Sequence, residues 1–257
     1  MKKLSKVLAV VLAAMFVVAC FAGCSSKESK KTITLATCAD FPPYESIGDN
    51  GDYVGIDIEF AQAIADKLGY ELKVENMDFD SVITSVASGK AQMGMAGLTV
   101  TEERLQNVDF SSAYANGIQA VIVKEGSPIK SVDDLYAPGA TYKVGAQIST
   151  TGDIYFSADI KDGKTTCTIQ EYASGAEAIS SLSTGKIDAV IIDNEPAKNF
   201  VAANKGLTIL DTQFANEAYA VALPKNGELN EDIKKAIDEL INDGSVQKIV
   251  DKYIPAE

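Results

Sequence analysis

Short apolar strand patterns alternate with amphipathic helix patterns from residue 32 onwards, and this alternation limits the possible folds more than any other feature of the sequence. The β-rich run over 32–37 and the run over 72–75 are typical of buried strands. Apolar residues share one face of a helix over 58–68, and a second helix pattern over 81–87 precedes a strand over 91–96. Strands that alternate with helices form parallel sheets, so the sequence predicts an α/β fold.

Two stretches of the chain resemble each other, one over 85–96 and the other over 181–192. Each is a helix end, a Gly-Lys stop and an apolar strand, and chance similarity of two ordinary helix ends is the alternative interpretation. If the similarity is real, the chain has two α/β lobes joined by apolar strands at 119–124 and 218–223. A ligand would then lie between the lobes, at the carboxyl ends of the strands. The predicted lobes are 32–115 with 218–257, and 116–217.

The composition excludes several classes of function. Hydrophobic residues make up 46% of the 257 residues, enough for a real core, and the net charge of −13 argues against nucleic acid as a partner. The chain contains no His, which excludes His-based triads, general bases and metal ligands. All basic residues but one are Lys, and the exception, Arg104, suggests a role that Lys cannot perform.

The N-terminus has the features of an export signal rather than of a folded element. Three Lys precede an apolar run over 7–20, which is shorter than the roughly 20 residues of a membrane span. Residues 21–24 resemble a lipobox, which predicts a signal peptide over 1–23, a lipid on Cys24 and a tether over 24–31. Cys20 is a competing lipidation site, and an uncleaved anchor helix is a further alternative. We therefore expect a lipid-anchored protein on the extracytoplasmic face of a Gram-positive-type membrane.

Several segments resemble, in order, the polar amino-acid-binding proteins of ABC importers (solute-binding protein family 3). They include TLATCADFPPYE, GIDIEFAQAIADKLG, MAGLTVTEERLQNVDFS, VGAQISTTGD and GKIDAVIID. The resemblance implies a two-lobed clamp of the periplasmic-binding-protein type II fold, in which two hinge strands join mostly parallel sheets flanked by helices. It implies a monomer that captures a free amino acid for a membrane permease, with no cofactor, metal or catalytic residue.

The family match assigns Arg104 to the ligand carboxylate, because a guanidinium can form two parallel hydrogen bonds to it. Thr99 and Thr150 match positions whose backbone N–H groups bind the same carboxylate. Thr150 also stands near the start of a predicted helix, where anions are favoured. The alternatives are a surface Arg on a turn and ordinary helix capping by the two Thr residues.

Asp193 ends an apolar strand and matches the acceptor of the ligand ammonium, with the Gly97 carbonyl and the Thr99 hydroxyl completing that shell. Its alternative role is to cap the helix that follows. Phe41 and Phe79 match the aromatic pair that sandwiches the ligand side chain, and plain core packing is their alternative.

One departure from the family concerns ligand class. Many relatives carry an acid where this chain has Cys38, so we expect a neutral polar ligand, with Asp40 as partial compensation. Cys38 and Cys167 are expected to be free thiols. A dehydratase and a ligand sensor on the same fold are the alternative functions, although the sequence offers no acid–base pair for the first.

Overall fold

The structure is a computed structural model that describes residues 31–255. The predicted signal peptide, both candidate lipidation sites, Cys20 and Cys24, and all but the last residue of the tether lie outside the described residues. Within residues 31–255, no helix has the length and apolarity needed to cross a membrane.

Strands and helices alternate along most of the described chain. The strands are β1 (Thr32–Thr37), β2 (Asp40–Phe41), β3 (Glu45–Ile47), β4 (Tyr53–Val54), β5 (Glu71–Asn76), β6 (Met93–Gly94), β7 (Val108–Lys124), β8 (Lys143–Gln147), β9 (Thr168–Tyr172), β10 (Ala189–Asp193), β11 (Leu207–Ile209) and β12 (Ala215–Pro224). The helices are α1 (Ile56–Leu68), α2 (Phe79–Ala87), α3 (Glu102–Asn107), α4 (Thr151–Lys161), α5 (Gly175–Ser183), α6 (Asn194–Ala203), α7 (Asn230–Asn242) and α8 (Ser245–Tyr253), with a 3₁₀ turn at Val132–Tyr136.

Two long antiparallel strands, β7 and β12, lie in the middle of one continuous sheet. On one side of them β5, β1 and β6 run parallel, and on the other side β10, β8 and β9 run parallel. β12 pairs antiparallel with β6, and β10 and β11 pair antiparallel with β7. The register between β7 and β12 shifts around Tyr219 and Ala220, and an irregularity of this kind bends the two paired strands. The predicted α/β fold with parallel sheets joined by two strands is therefore confirmed.

Separate hydrophobic cores pack against the two halves of this sheet, on either side of β7 and β12. One core packs Ile33 and Phe60 against Ile233 and Ile237, so it combines the beginning and the end of the described chain. A core on the other side is formed within residues 121–210. The helices contribute because their apolar residues recur at helical spacing, as in α7 and α8, which the sequence predicted with a break at 242–244.

The elements differ from the sequence prediction at several ends. The strand predicted over 91–96 is only two residues long, since Met95 and Ala96 are buried but lie outside the ladder. β7 and β12 are longer than predicted, and a small sheet of β2, β3 and β4 was missed. Cys38 and Cys167 are free, buried thiols in different cores, as expected.

Candidate ligand-binding site

Six of the seven predicted ligand residues line one small cavity, and the seventh, Thr99, accepts a hydrogen bond from Arg104 in that lining. The cavity has a volume of ≈ 20 Å³, little more than one water molecule needs. A groove of ≈ 360 Å³ shares the lining residues Phe79 and Arg104 with it. An amino-acid-sized molecule therefore requires the walls to separate. The lining residues of the small cavity are Asp40, Phe41, Phe79, Ala96, Gly97, Arg104, Gln147, Thr150, Thr151 and Asp193.

Arg104 is buried and held by contacts from both sides of the cavity. Its helix α3 starts at a Thr101 cap, whose hydroxyl accepts a hydrogen bond from the Arg104 backbone N–H at 3.1 Å. Arg104 Nη1 donates to the Thr99 carbonyl at 2.8 Å, and Nη2 donates to the Ser149 carbonyl at 2.9 Å. The guanidinium lies 5.5 Å from the Phe79 ring centroid. Two of its five N–H groups are thus engaged, which leaves three for an anion.

The segment that begins α4 faces Arg104. Ser149 has a left-handed φ of 64°, and its backbone N–H donates to Asp153 Oδ2 at 3.0 Å. Thr150 caps the helix, since its hydroxyl accepts from the Asp153 backbone N–H at 3.4 Å. The Thr150 backbone N–H donates to the Gln147 carbonyl at 3.3 Å. The predicted hydrogen bond from the Thr150 backbone N–H to a ligand carboxylate stays a prediction, and it requires the N–H to leave the Gln147 carbonyl.

Gly97 sits in a tight turn beside Phe41. Its φ of 55° favours glycine, and a Cβ at this position would lie 2.8 Å from Phe41 Cε1. The Gly97 N–H donates to Asp57 Oδ2 at 3.0 Å, and the Tyr114 hydroxyl donates to Asp57 Oδ1 at 2.6 Å. Asp57 therefore fixes the turn from behind the cavity.

Asp57 and Glu45 form a buried carboxyl pair behind this turn, which sequence reasoning missed. Both side chains are completely buried. Burial raises the pKa of Asp57 to about 6, although its hydrogen bonds from Tyr114 and Gly97 act in the opposite direction. Burial first, and then the neighbouring Asp57, raise the pKa of Glu45 well above its ordinary value.

Asp193 stands at the carboxyl end of β10, as predicted, and is buried. Its Oδ2 accepts from Gln119 Nε2 at 2.6 Å, and its Oδ1 accepts from the Tyr219 hydroxyl. Its side chain makes no capping hydrogen bond to the described start of α6, which argues against the capping alternative. Burial first, and then the Glu217 carboxyl, raise the pKa of Asp193 well above its ordinary value. A cation beside Asp193 would offset both effects.

Glu217 and Gln119 complete this cluster, and the sequence analysis missed both. Glu217 Oε2 accepts from Gln119 Nε2 at 3.1 Å and from the Thr99 hydroxyl at 3.0 Å. The Thr99 hydroxyl, predicted to face the ligand ammonium, is therefore engaged with Glu217. One sequence signal could have pointed to them: each is a polar residue at one end of an apolar strand run. A polar side chain buried at such a place needs a hydrogen-bond partner.

The cavity thus has two chemically different ends. A buried guanidinium with free donors can hold a carboxylate, and a buried carboxylate can hold an ammonium group. Aromatic rings lie on the wall beside them. This arrangement suits a small zwitterion, whose two charges would each meet an opposite charge on leaving water.

The chain is similar over its whole length to known amino-acid-binding proteins. Residues 33–256 match the bacterial extracellular solute-binding proteins, family 3. The chain is 32% identical to the arginine-binding extracellular protein ArtP of Bacillus subtilis, with 100% of both chains covered. It is 31% identical to the glutamine-binding protein GlnH of the same organism, over 99% of this chain and 100% of GlnH.

A solved structure with a similar fold is an ancestral arginine-binding protein bound to arginine. It has a TM-score of 0.79 and 38% identity over 88% of this chain and 99% of its own. The matched family spans nearly every residue that the structure describes. The chain belongs to the bacterial extracellular solute-binding proteins of family 3.

Proposed function

We propose that this protein captures a free polar α-amino acid outside the cytoplasm and delivers it to the permease of an ABC transporter. The observation that carries the proposal is the placement of Arg104 and Asp193 in the lining of one cavity. Arg104 holds the ligand carboxylate, and Asp193 holds the ammonium. Phe41 and Phe79 contact the side chain, and Gly97, Thr99 and Thr150 complete the polar shell.

The charges around the cavity favour a ligand with a cationic side chain. Once Arg104 and Asp193 pair with the backbone charges of the ligand, Asp40 is the carboxylate left in the lining. Cys38, on which the expectation of a neutral ligand rested, is buried in a core and donates to Asp40 Oδ1 at 3.2 Å. The adjoining groove is also acidic, which attracts cations. Its acidic lining residues are Asp80, Glu103, Asp153 and Glu171.

The anchor and the lobes belong to the same proposal. A lipid on Cys24 holds the protein at the outer face of the membrane, and residues 24–31 act as the tether. The lobes comprise 32–115 with 218–257, and 116–217, and they separate about β7 and β12 to admit the ligand. Hydrogen bonds between the proposed lobes, from Arg104 to Ser149 and from Asn199 to the Pro42 carbonyl at 3.1 Å, support a closed arrangement.

A thermal-shift screen of the common amino acids, followed by calorimetric titration, tests the function. A ligand at 100 times its Kd is expected to stabilise the protein by about 2.7 kcal/mol. L-Arginine is the first candidate and L-glutamine is the neutral comparison. Agmatine, which lacks the carboxylate of arginine, is the control for the role of Arg104 and is expected to bind far more weakly. A protein that no amino acid stabilises would refute the proposed function.

A further inference from the structure

Two carboxyls from different strands share one hydrogen-bond donor beside the cavity. Gln119 Nε2 donates to Asp193 Oδ2 at 2.6 Å and to Glu217 Oε2 at 3.1 Å. Asp193 ends β10, Glu217 lies in β12, and Gln119 lies in β7 between them. The pair therefore sits where the joining strands meet the proposed ammonium end of the cavity.

The surroundings of this pair compensate two negative charges poorly. Asp193 and Glu217 are each 8% exposed, and Glu217 Oε1 has no hydrogen-bond partner in the described part of the chain. Two nearby carboxylates that are both removed from water oppose each other's ionisation. Burial and Glu217 raise the pKa of Asp193, and Arg104 counteracts this only partly.

Other titratable or charged groups face the pair from each packed element. Arg104 is the cation among them, and it already donates to the Thr99 and Ser149 carbonyls. Burial raises the pKa of Tyr44 and Tyr155, so these two hydroxyls stay protonated at neutral pH. The groups are Arg104 from α3, Tyr155 from α4, Tyr219 from β12, Tyr44 and Glu45 before α1, and Glu195 from α6.

We propose that Asp193, buried beside the Glu217 carboxyl, holds a proton in the ligand-free site, and that the ammonium group of the ligand displaces it. The carboxyl O–H bond breaks, the proton passes to a buffer base, and the positive charge of the ammonium takes its place. Glu217 is a positioning residue, since it acts on the ligand through Asp193, Gln119 and Thr99. This inference rests on the proposed function.

Proton displacement makes affinity depend on pH. While Asp193 holds the proton in the ligand-free site and loses it in the ligand-bound site, Kd falls by up to about tenfold for each unit of rising pH. Arginine is the probe, because neither its guanidinium nor its carboxyl titrates between pH 5 and 7. The proton comes from the protein in that range.

The experiment is calorimetric titration with arginine from pH 5 to 7, in buffers of different ionisation enthalpy. The dependence of the measured enthalpy on the buffer gives the number of protons released per ligand bound. The variants are Glu217→Gln and, as a matched control, Glu45→Gln, which removes another buried carboxyl near Asp193. Melting curves of both variants verify folding, and the wild-type pH profile of Kd provides a measurement that needs no variant.

The wild type is expected to release up to about one proton, with the matching fall of Kd with pH. Glu217→Gln is expected to release almost none and to flatten the Kd profile, whereas Glu45→Gln is expected to behave as the wild type. Arginine binding without proton release in the wild type overturns this inference and leaves the proposed function intact. Loss of release in Glu45→Gln but not in Glu217→Gln also overturns it, and a protein that binds no amino acid overturns both.

Discussion

Replacing Arg104 with Lys is expected to weaken ligand binding strongly while the protein still folds. The guanidinium now donates to two carbonyls from distant segments, Thr99 at 2.8 Å and Ser149 at 2.9 Å. Its central carbon also lies over the Phe79 ring, 5.5 Å from the ring centroid, within reach of a cation–π contact. A Lys ammonium keeps the charge, but it cannot serve both carbonyls and a bidentate carboxylate at once.

The size of the loss follows from these contacts. Losing one hydrogen bond to the charged ligand carboxylate costs about 1.5–3 kcal/mol of binding free energy, which is about 10-fold or more in Kd. A lower melting temperature is also expected, because the contacts of Arg104 with Thr99, Ser149 and Phe79 are present without ligand.

Calorimetric titration of Arg104→Lys with the tightest-binding amino acid measures the effect, and a melting curve verifies folding. The reverse exchange, Lys67→Arg, is the control, since Lys67 pairs with Glu239 at 2.9 Å on the surface between α1 and α7. The control is expected to bind as the wild type does. An Arg104→Lys affinity within about threefold of wild type, with an intact melting curve, would refute the carboxylate assignment.

Four further outcomes are expected. The ligand-free protein should melt at a higher temperature at pH 5 than at pH 7. The pKa of Asp57 is raised to about 6, so the folded state binds this proton more tightly than the unfolded state, and stability is lost as pH rises through that value. The opposite trend in calorimetric scans would contradict the burial argument. Gly117→Ala should lower the free energy of unfolding by about 1–3 kcal/mol, because its Cβ would lie 2.1 Å from Tyr219 Oη. An unchanged free energy of unfolding in denaturant would show that β7 and β12 shift freely to accommodate the methyl group. X-ray scattering should report a more compact particle with ligand than without, and identical profiles would count against hinge motion. Cys24→Ala should abolish lipid labelling, and persistent labelling would assign the lipid to Cys20.

The sequence predicted the helices well, because helical spacing of apolar residues reports directly on a buried face. It predicted β6 poorly, since an apolar run reports burial and not pairing. Met95 is completely buried, yet only Met93 and Gly94 join the ladder. The small sheet of β2 to β4 escaped prediction because each of its strands is only two or three residues long.

The site residues also divide into those that the sequence could predict and those that it could not. Arg104 stood out as the single Arg and Asp193 as an acid ending an apolar strand, and the resemblance to the family supplied their expected roles. Glu217 and Gln119 could not be predicted in this way, because their partners are remote in sequence. The hydrogen bond that joins them spans 98 positions, and the bond from Thr99 to Glu217 spans 118. Such pairs become visible only when the folded chain brings the strands together.

The distribution of the cores along the chain also bears on the order in which the protein is assembled. The core within residues 121–210 uses one continuous stretch of chain, so it can condense as soon as that stretch is available. The core that holds Ile33 and Phe60 needs Ile233 and Ile237, about two hundred positions away from its first member. Closing that long loop is slow in conformational search. Until the last helices are formed, the first strands therefore keep apolar surface uncovered, and such a partly folded chain is prone to aggregation.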